Sequence, residues 1–167
     1  SQLPDLFIRS AKTSGENMIL LGTCTIFAYI LSIEKVPQMV STFLLSISDN
    51  LIVLLIIINI FLIFVGTFID PTPAAIILGP IIAPVLISIG MNPVHVGVMM
   101  CFNLIMGVVT PPVGGSLYLI AGMTGLSIEK ISKAMLPFFI INIVVLFIIT
   151  YIPDTVLFVP RLFGYIK

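Results

Sequence analysis

Charged side chains are scarce in this sequence. Of its 167 residues, 8% are Asp, Glu, Lys or Arg, whereas 59% are hydrophobic. A soluble domain carries about 25% charged residues. This chain has too few to cover its surface, so we expect a lipid bilayer to be its solvent. The net charge is zero and there is no basic patch, which argues against nucleic acid as a partner.

Histidine and cysteine are equally sparse. His95 is the only histidine, and Cys24 and Cys101 lie in separate apolar runs. A clustered His/Cys metal centre is therefore excluded, and we interpret both cysteines as reduced core residues. His95 follows a turn, which favours an interfacial position over a proton relay.

The sequence consists mainly of apolar runs, which predict an all-α, polytopic membrane protein. A first span lies within 1–35, and 36–48 is too short to cross and predicts an interfacial or connecting amphipathic helix. The segments 49–90 and 93–124 are both interrupted, and 133–153 is the last span. Because the chain starts without Met or a signal-peptide pattern, we expect a part of a longer polypeptide, or a processed or engineered fragment.

Asp70 is the one charged residue between Asn50 and Ile128. It lies in a break, 66–73 (GTFIDPTP), between two apolar runs. An acid at the centre of a membrane helix costs about 2.5–3.5 kcal/mol, and irregular backbone persists at that depth only where it is buried in protein or lines a cavity. Asp70 is therefore a functional-site candidate, and capping of the next helix is an alternative role.

The two arms around this break predict a re-entrant hairpin. The first arm, 51–65, is expected to end at Gly66 and to reach roughly 22 Å, less than a hydrocarbon core of about 30 Å. Pro71 and Pro73 forbid simple continuation of that helix. Two full spans are the alternative.

A second break, 107–115 (GVVTPPVGG), divides the segment 93–124 into two half-helices. Short, Gly/Pro-interrupted segments are the best sequence pointer to the binding site of a secondary transporter. Broken helices expose carbonyl oxygens, which together with a Thr hydroxyl suit Na⁺, and N-terminal ends, which suit an anion.

Structural roles remain open for several residues in and near these breaks. Thr110 could bond back to its own helix, and the pair Gly114 and Gly115 could serve close helix packing. Asn59 and Asn103 favour interhelical hydrogen bonds over ligation.

The two breaks resemble a known family. The stretches GTFIDPTPAAIILGPIIAPV from Gly66, PVHVGVMMCFNLIMGVVTPPVGGSLYLIAG from Pro93 and LPFFIINIVVLFIITYIP from Leu136 are similar to the second half of the large membrane subunit of tripartite ATP-independent periplasmic (TRAP) transporters. The ordered pair G-T-x-x-D-P-T-P and G-x-x-T-P-P-V-G is the specific part, and the resemblance covers essentially the whole chain.

The resemblance implies a protein that is not an enzyme but a sodium-coupled importer of a small organic acid anion, such as a C4-dicarboxylate, sialic acid or another sugar acid. It implies an elevator mechanism in the bacterial inner membrane. Residues 1–167 would form one of two inverted-topology repeats, with one re-entrant hairpin and one broken transmembrane helix. The implied partners are the N-terminal repeat, a small membrane subunit and a periplasmic substrate-binding protein, so the chain alone is not expected to transport.

The resemblance also implies the site residues. Sodium would be held, mainly by backbone oxygens, at Gly66, Gly107, Thr110 and Val113. The hairpin tip beside the substrate would be lined by Thr67, Asp70 and Thr72.

Other classes of protein are alternatives to a TRAP-type permease. A channel or transporter subunit of another inverted-repeat family has similar breaks. An intramembrane aspartyl protease needs two catalytic acids, and Asp70 has no embedded acidic partner. A purely structural membrane subunit would show no ion dependence.

Overall fold

The computed structural model describes residues 3–47, 50–110 and 114–165. Within these ranges the chain forms helices and no strand, which confirms the all-α prediction. The helices are α1 Leu3–Ile33, α2 Val36–Ile47, α3 Leu51–Phe68, α4 Pro71–Ser88, α5 Pro93–Val108, α6 Gly115–Thr124, α7 Ile128–Tyr151 and α8 Asp154–Leu162. By length and composition α1, α3, α4 and α7 can each cross a membrane, so the chain is a multi-pass membrane protein.

Short polar side chains start the three central helices. Asn50 accepts a hydrogen bond from the backbone N–H two residues later, and Asp70 and Asn92 do the same at α4 and α5. Each bond satisfies one of the N–H groups that a helix start leaves without a partner. Pro71 and Pro93 occupy the first turns of α4 and α5, where a missing N–H costs nothing.

Helix α3 is longer than predicted. It runs through Gly66 to Phe68, so the interruption before α4 is confined to Ile69 and Asp70. A helical glycine costs about 1 kcal/mol relative to alanine, but here its missing side chain admits a neighbouring helix. With 18 residues each, α3 and α4 reach about 27 Å. The prediction that α3 ends at Gly66 is wrong, and so is the argument that its arm is too short to cross a membrane. The re-entrant hairpin itself stays a prediction.

The structure locates His95 and both cysteines. His95 is 2% exposed, and its Nε2 lies 2.7 Å from the Ile149 carbonyl oxygen on α7, so it is buried between helices. Its position at the membrane interface stays a prediction. Cys24 is buried as predicted, but Cys101 is exposed. Helix α7 starts at Ile128, before the predicted last span, 133–153.

Helix α5 lies at the centre of the fold. It packs along both α3 and α4, whereas those two helices touch each other little. Helices α1 and α2 cover the other side of α4. Van der Waals packing rather than hydrophobic transfer holds such helices together in lipid. The fully buried core side chains on α3, α4 and α5 include Leu54, Ile58, Leu62, Val85, Leu86, Val96, Met99 and Leu104.

The central packing predicts a stability difference between two positions on α3. Leu62 is fully buried and Ile60 is 64% exposed. Leu62→Ala should lower the free energy of unfolding by about 2–5 kcal/mol through lost contacts and the cavity left behind, whereas Ile60→Ala should have a much smaller effect. Thermal unfolding of the purified full-length protein in detergent measures both. Equal losses would contradict this assignment of the core.

Candidate cation and anion sites at the helix breaks

The backbones of α3 and α5 meet at a pair of glycines. A Cβ atom at Gly107 would lie 2.3 Å from the Gly66 carbonyl carbon and 2.7 Å from the Ile63 carbonyl oxygen. A Cβ atom at Gly66 would lie 2.5 Å from the Leu104 carbonyl oxygen. Side chains do not fit at such distances, so this approach requires glycine at both positions.

The same contact brings two helix C-termini together. Asn59 contacts Asn103 and Gly66 contacts Gly107, so both helices run in the same direction along their interface. Helix α3 ends at Phe68 and α5 at Val108, just beyond the glycines. The last carbonyls of a helix lack an intrahelical donor and carry its negative partial charge. Two such ends side by side create a region of negative electrostatic potential.

Thr110 lies directly after α5. Its hydroxyl donates to the Met106 carbonyl oxygen at 2.7 Å, and its N–H donates to the Gly107 carbonyl oxygen at 2.9 Å. The alternative role of Thr110, bonding back to its own helix, is therefore confirmed. The hydroxyl oxygen keeps acceptor capacity, so this bond is compatible with a ligand role.

Gly114 lies close to the end of α5. The Gly114 N–H donates to the Thr110 carbonyl oxygen at 3.1 Å, and a Cβ at Gly114 would lie 2.4 Å from the Val108 carbonyl oxygen. Gly114 therefore packs closely against the end of α5, while close helix packing by Gly115 stays a prediction. Val113, the remaining predicted sodium position, lies outside the described residues.

Asp70 stands at the start of α4. Its Oδ1 accepts a hydrogen bond from the Thr72 N–H at 3.2 Å, so the capping role is confirmed. Asp70 and Thr72 line a cleft of about 280 Å³ together with Asn17 and neighbouring residues of α1. Thr67 is not among the lining residues of this cleft, and its hydroxyl donates to the Phe64 carbonyl oxygen at 2.7 Å. The structure thus joins two of the three predicted tip residues.

Sequence reasoning missed part of the polar chemistry. Asn17 lies at the junction of a polar and an apolar stretch, and Thr150 near the end of the last apolar run, so each carried only a weak signal. The Asn59 Nδ2 donates to the Thr150 Oγ1 at 3.2 Å, and the Asn103 Nδ2 donates to the Asn59 Oδ1 at 2.8 Å. The expected interhelical hydrogen bonds of the two asparagines are confirmed.

A separate cleft of about 380 Å³ lies at the opposite end of α3, with His95, Tyr151 and Arg161 in its lining. Its Arg161 pairs with Asp154 on the same helix. None of the sequence-predicted site residues lines this cleft. The glycine contact and the Asp70 cleft are therefore the regions to which the sequence motifs point.

Interrupted helices inside a multi-pass membrane protein form the binding sites of many secondary transporters. Comparison with known proteins identifies the group. Residues 1–155 match the sequence model of the tripartite ATP-independent periplasmic transporter, DctM component. The chain belongs to this family.

Named relatives extend the match to nearly the whole chain. It is 39% identical to the uncharacterized protein YgiK of Salmonella typhimurium, covering 98% of this chain and 38% of that protein. It is 38% identical to the isethionate TRAP transporter permease protein DctMQ of Oleidesulfovibrio alaskensis, covering 92% and 24%. It is 34% identical to the sialic acid TRAP transporter large permease protein SiaM of Vibrio cholerae, covering 96% and 38%. The isethionate and sialic acid relatives are named as permeases, as expected for a protein that is not an enzyme. The chain spans less than two fifths of the length of each of these three relatives.

The glycine contact predicts opposite effects for two glycines on α5. Gly107→Ala forces a methyl group into the α3 backbone and should cost about 1–3 kcal/mol. Gly97→Ala, where a Cβ meets nothing within 4 Å, should be neutral or stabilising by up to about 1 kcal/mol. Thermal unfolding of the purified full-length protein compares them. A Gly107→Ala variant as stable as Gly97→Ala would contradict the close approach.

The Asp70 cap predicts a graded response to substitution. Asp70→Ala removes the acceptor for the Thr72 N–H and should cost about 0.5–2 kcal/mol, whereas Asp70→Asn keeps an acceptor and most of that stability. Unfolding midpoints measure the cap, and reconstituted uptake measures function. Loss of uptake in both folded variants would indicate that the charge itself is needed. Full stability and activity in Asp70→Ala would contradict both roles.

Proposed function

We propose that this chain is the C-terminal repeat of the large permease subunit of a TRAP-type transporter, a Na⁺ symporter that imports a small organic acid anion across the bacterial inner membrane. The observation that carries the proposal is the convergence of the C-terminal ends of α3 and α5 at Gly66 and Gly107. The C-terminal end of a helix supplies carbonyl oxygens and a negative partial charge without a carboxylate side chain.

The chemistry of these donors favours a hard, monovalent cation. Backbone carbonyls at Gly66 and Gly107, with the Thr110 hydroxyl and a Val113 carbonyl, are oxygen dipoles of the kind that replace the hydration shell of an alkali cation. Pro71 supplies no N–H to compete for the carbonyls at the end of α3. A neutral set of ligands suits an ion that binds and leaves in each transport cycle.

The anion would bind nearby, at the start of α4. The N-terminal end of that helix carries positive partial charge, and Thr72 offers a hydroxyl in the cleft that Asn17 also lines. Asp70 would repel an anion at close range, so we assign it to ordering the tip rather than to direct contact; Thr67 would support the same tip. Relatives named for isethionate and sialic acid point to small organic acids, among which C4-dicarboxylates and sugar acids also fit.

The proposal includes the architecture and partners of the complete transporter. The short turn at Ile69 and Asp70 would be the tip of a re-entrant hairpin. Helices α5 and α6 would be the two halves of the broken helix. Because α5 holds α3 and α4 together, this repeat can move as one body, which an elevator mechanism requires. The N-terminal repeat, a small membrane subunit and a periplasmic substrate-binding protein would complete the assembly.

The sodium assignment predicts a specific defect in Thr110→Val. In the full-length transporter in proteoliposomes, the half-saturating Na⁺ concentration for uptake should rise on the order of tenfold, as loss of one contact worth about 1.4 kcal/mol implies. Thr124→Val is the matched control, because its hydroxyl makes the same bond to the carbonyl four residues earlier, at 2.7 Å. An unchanged Na⁺ dependence in Thr110→Val at normal expression would contradict a ligand role.

A further inference from the structure

The α3–α5 interface carries a second polar contact close to the glycines. We propose that Asn59 and Asn103 are positioning residues that fix the register of α3 against α5, and thereby the spacing of the carbonyl oxygens at the cation site; this inference rests on the proposed function. Asn59 is 6% exposed and Asn103 fully buried. The Asn103 Nδ2 donates to the Asn59 Oδ1 at 2.8 Å.

The positions of the asparagines place them in line with the glycines. Asn103 precedes Gly107 by four residues and Asn59 precedes Gly66 by seven, which is about one and two helical turns. Residues at these spacings share one face of a helix. The amide pair therefore lies on the same seam as the glycine contact, toward the N-terminal ends of α3 and α5.

The contact between Gly66 and Gly107 alone does not fix how far α3 is shifted along α5. Two glycine surfaces bring backbones close but have no side chains to interlock, so they resist sliding along the helix axis weakly. A hydrogen bond between two buried side chains has a defined length and direction. The amide pair can therefore set the axial offset that the glycines alone leave open.

Both amides are held in place by further bonds. The Asn103 Nδ2 also donates to the Met99 carbonyl oxygen at 2.8 Å, which fixes that side chain on its own helix. The Asn59 Nδ2 donates to the Thr150 Oγ1 at 3.2 Å, which ties α3 to α7. The register of α3 and α5 is thus linked to a third helix that flanks them.

Stability alone accounts poorly for Asn103. Its Oδ1 is buried and accepts no hydrogen bond from the described part of the chain. Unsatisfied buried acceptors are uncommon in native proteins and costly. An apolar side chain would avoid that cost, so the presence of the amide fits a role in placing α3 and α5 better than a role in packing them.

The test uses Asn103→Leu in the full-length transporter, reconstituted in proteoliposomes. Because interhelical hydrogen bonds in membranes are modest, the half-saturating Na⁺ concentration should rise about three- to tenfold. The KM for substrate at saturating Na⁺ should change less than about twofold, since the lost contact acts on the cation. Thr150→Val removes the link to α7 but leaves the bond between the two amides, so it should raise the half-saturating Na⁺ concentration less than Asn103→Leu does.

A double variant separates positioning from packing. Asn59→Leu with Asn103→Leu leaves neither amide without its partner, so the unfolding temperature should recover relative to Asn103→Leu. The raised Na⁺ requirement should persist, because two apolar side chains do not fix the axial offset. This variant also carries the test if Asn103→Leu alone does not fold. Recovery of both properties together would overturn the positioning role.

The outcomes distinguish this inference from the proposed function. Na⁺-dependent uptake by the wild type, with an unchanged Na⁺ requirement in Asn103→Leu and in the double variant, would overturn only the positioning role. Wild-type uptake that is independent of Na⁺ would overturn the proposed function and this role with it.

Discussion

The backbones of α3 and α5 touch at Gly66 and Gly107, and the arrangement of the site depends on that contact. It allows two helices to end side by side, so their terminal carbonyls face one small region. Each helix ends one or two residues beyond its glycine. Asp70 lies between α3 and α4. Thr110 lies directly after α5, and its carbonyl oxygen accepts from the Gly114 N–H. A larger side chain at either glycine would push the ends of α3 and α5 apart.

Lipid as a solvent explains why so few polar residues have so large an effect. Between helices in a bilayer, packing and buried hydrogen bonds replace the hydrophobic driving force. The described helices concentrate these bonds where α3, α5 and α7 meet, through two asparagines, Thr150 and His95. Apart from Asp70, neither break carries a charged side chain, so the partial charges of the helix ends add strongly to the electrostatic potential there. A site of this kind can select a cation without a buried carboxylate.

Local sequence signals predicted the starts of α3, α4 and α5 and the existence of both breaks, because Asn, Asp, Pro and Gly act over a few residues. They did not predict that α3 would continue through Gly66, since the compensating contact comes from Leu104 and Gly107 on another helix. The contact of His95 was not predicted for the same reason: its partner, Ile149, lies on α7. The two glycines could be predicted as site residues, but their contact could not be derived from either segment alone. The partnership of Asn59 with Thr150 is equally non-local.

A structure of the full-length permease determined in Na⁺ tests the central claim most directly. The account predicts density for a cation bounded by carbonyl oxygens from the C-terminal ends of α3 and α5, beside a direct contact between Gly66 and Gly107. An interface in which side chains hold the two helices apart at these glycines would contradict the account. So would a bound cation at a distance from both helix ends.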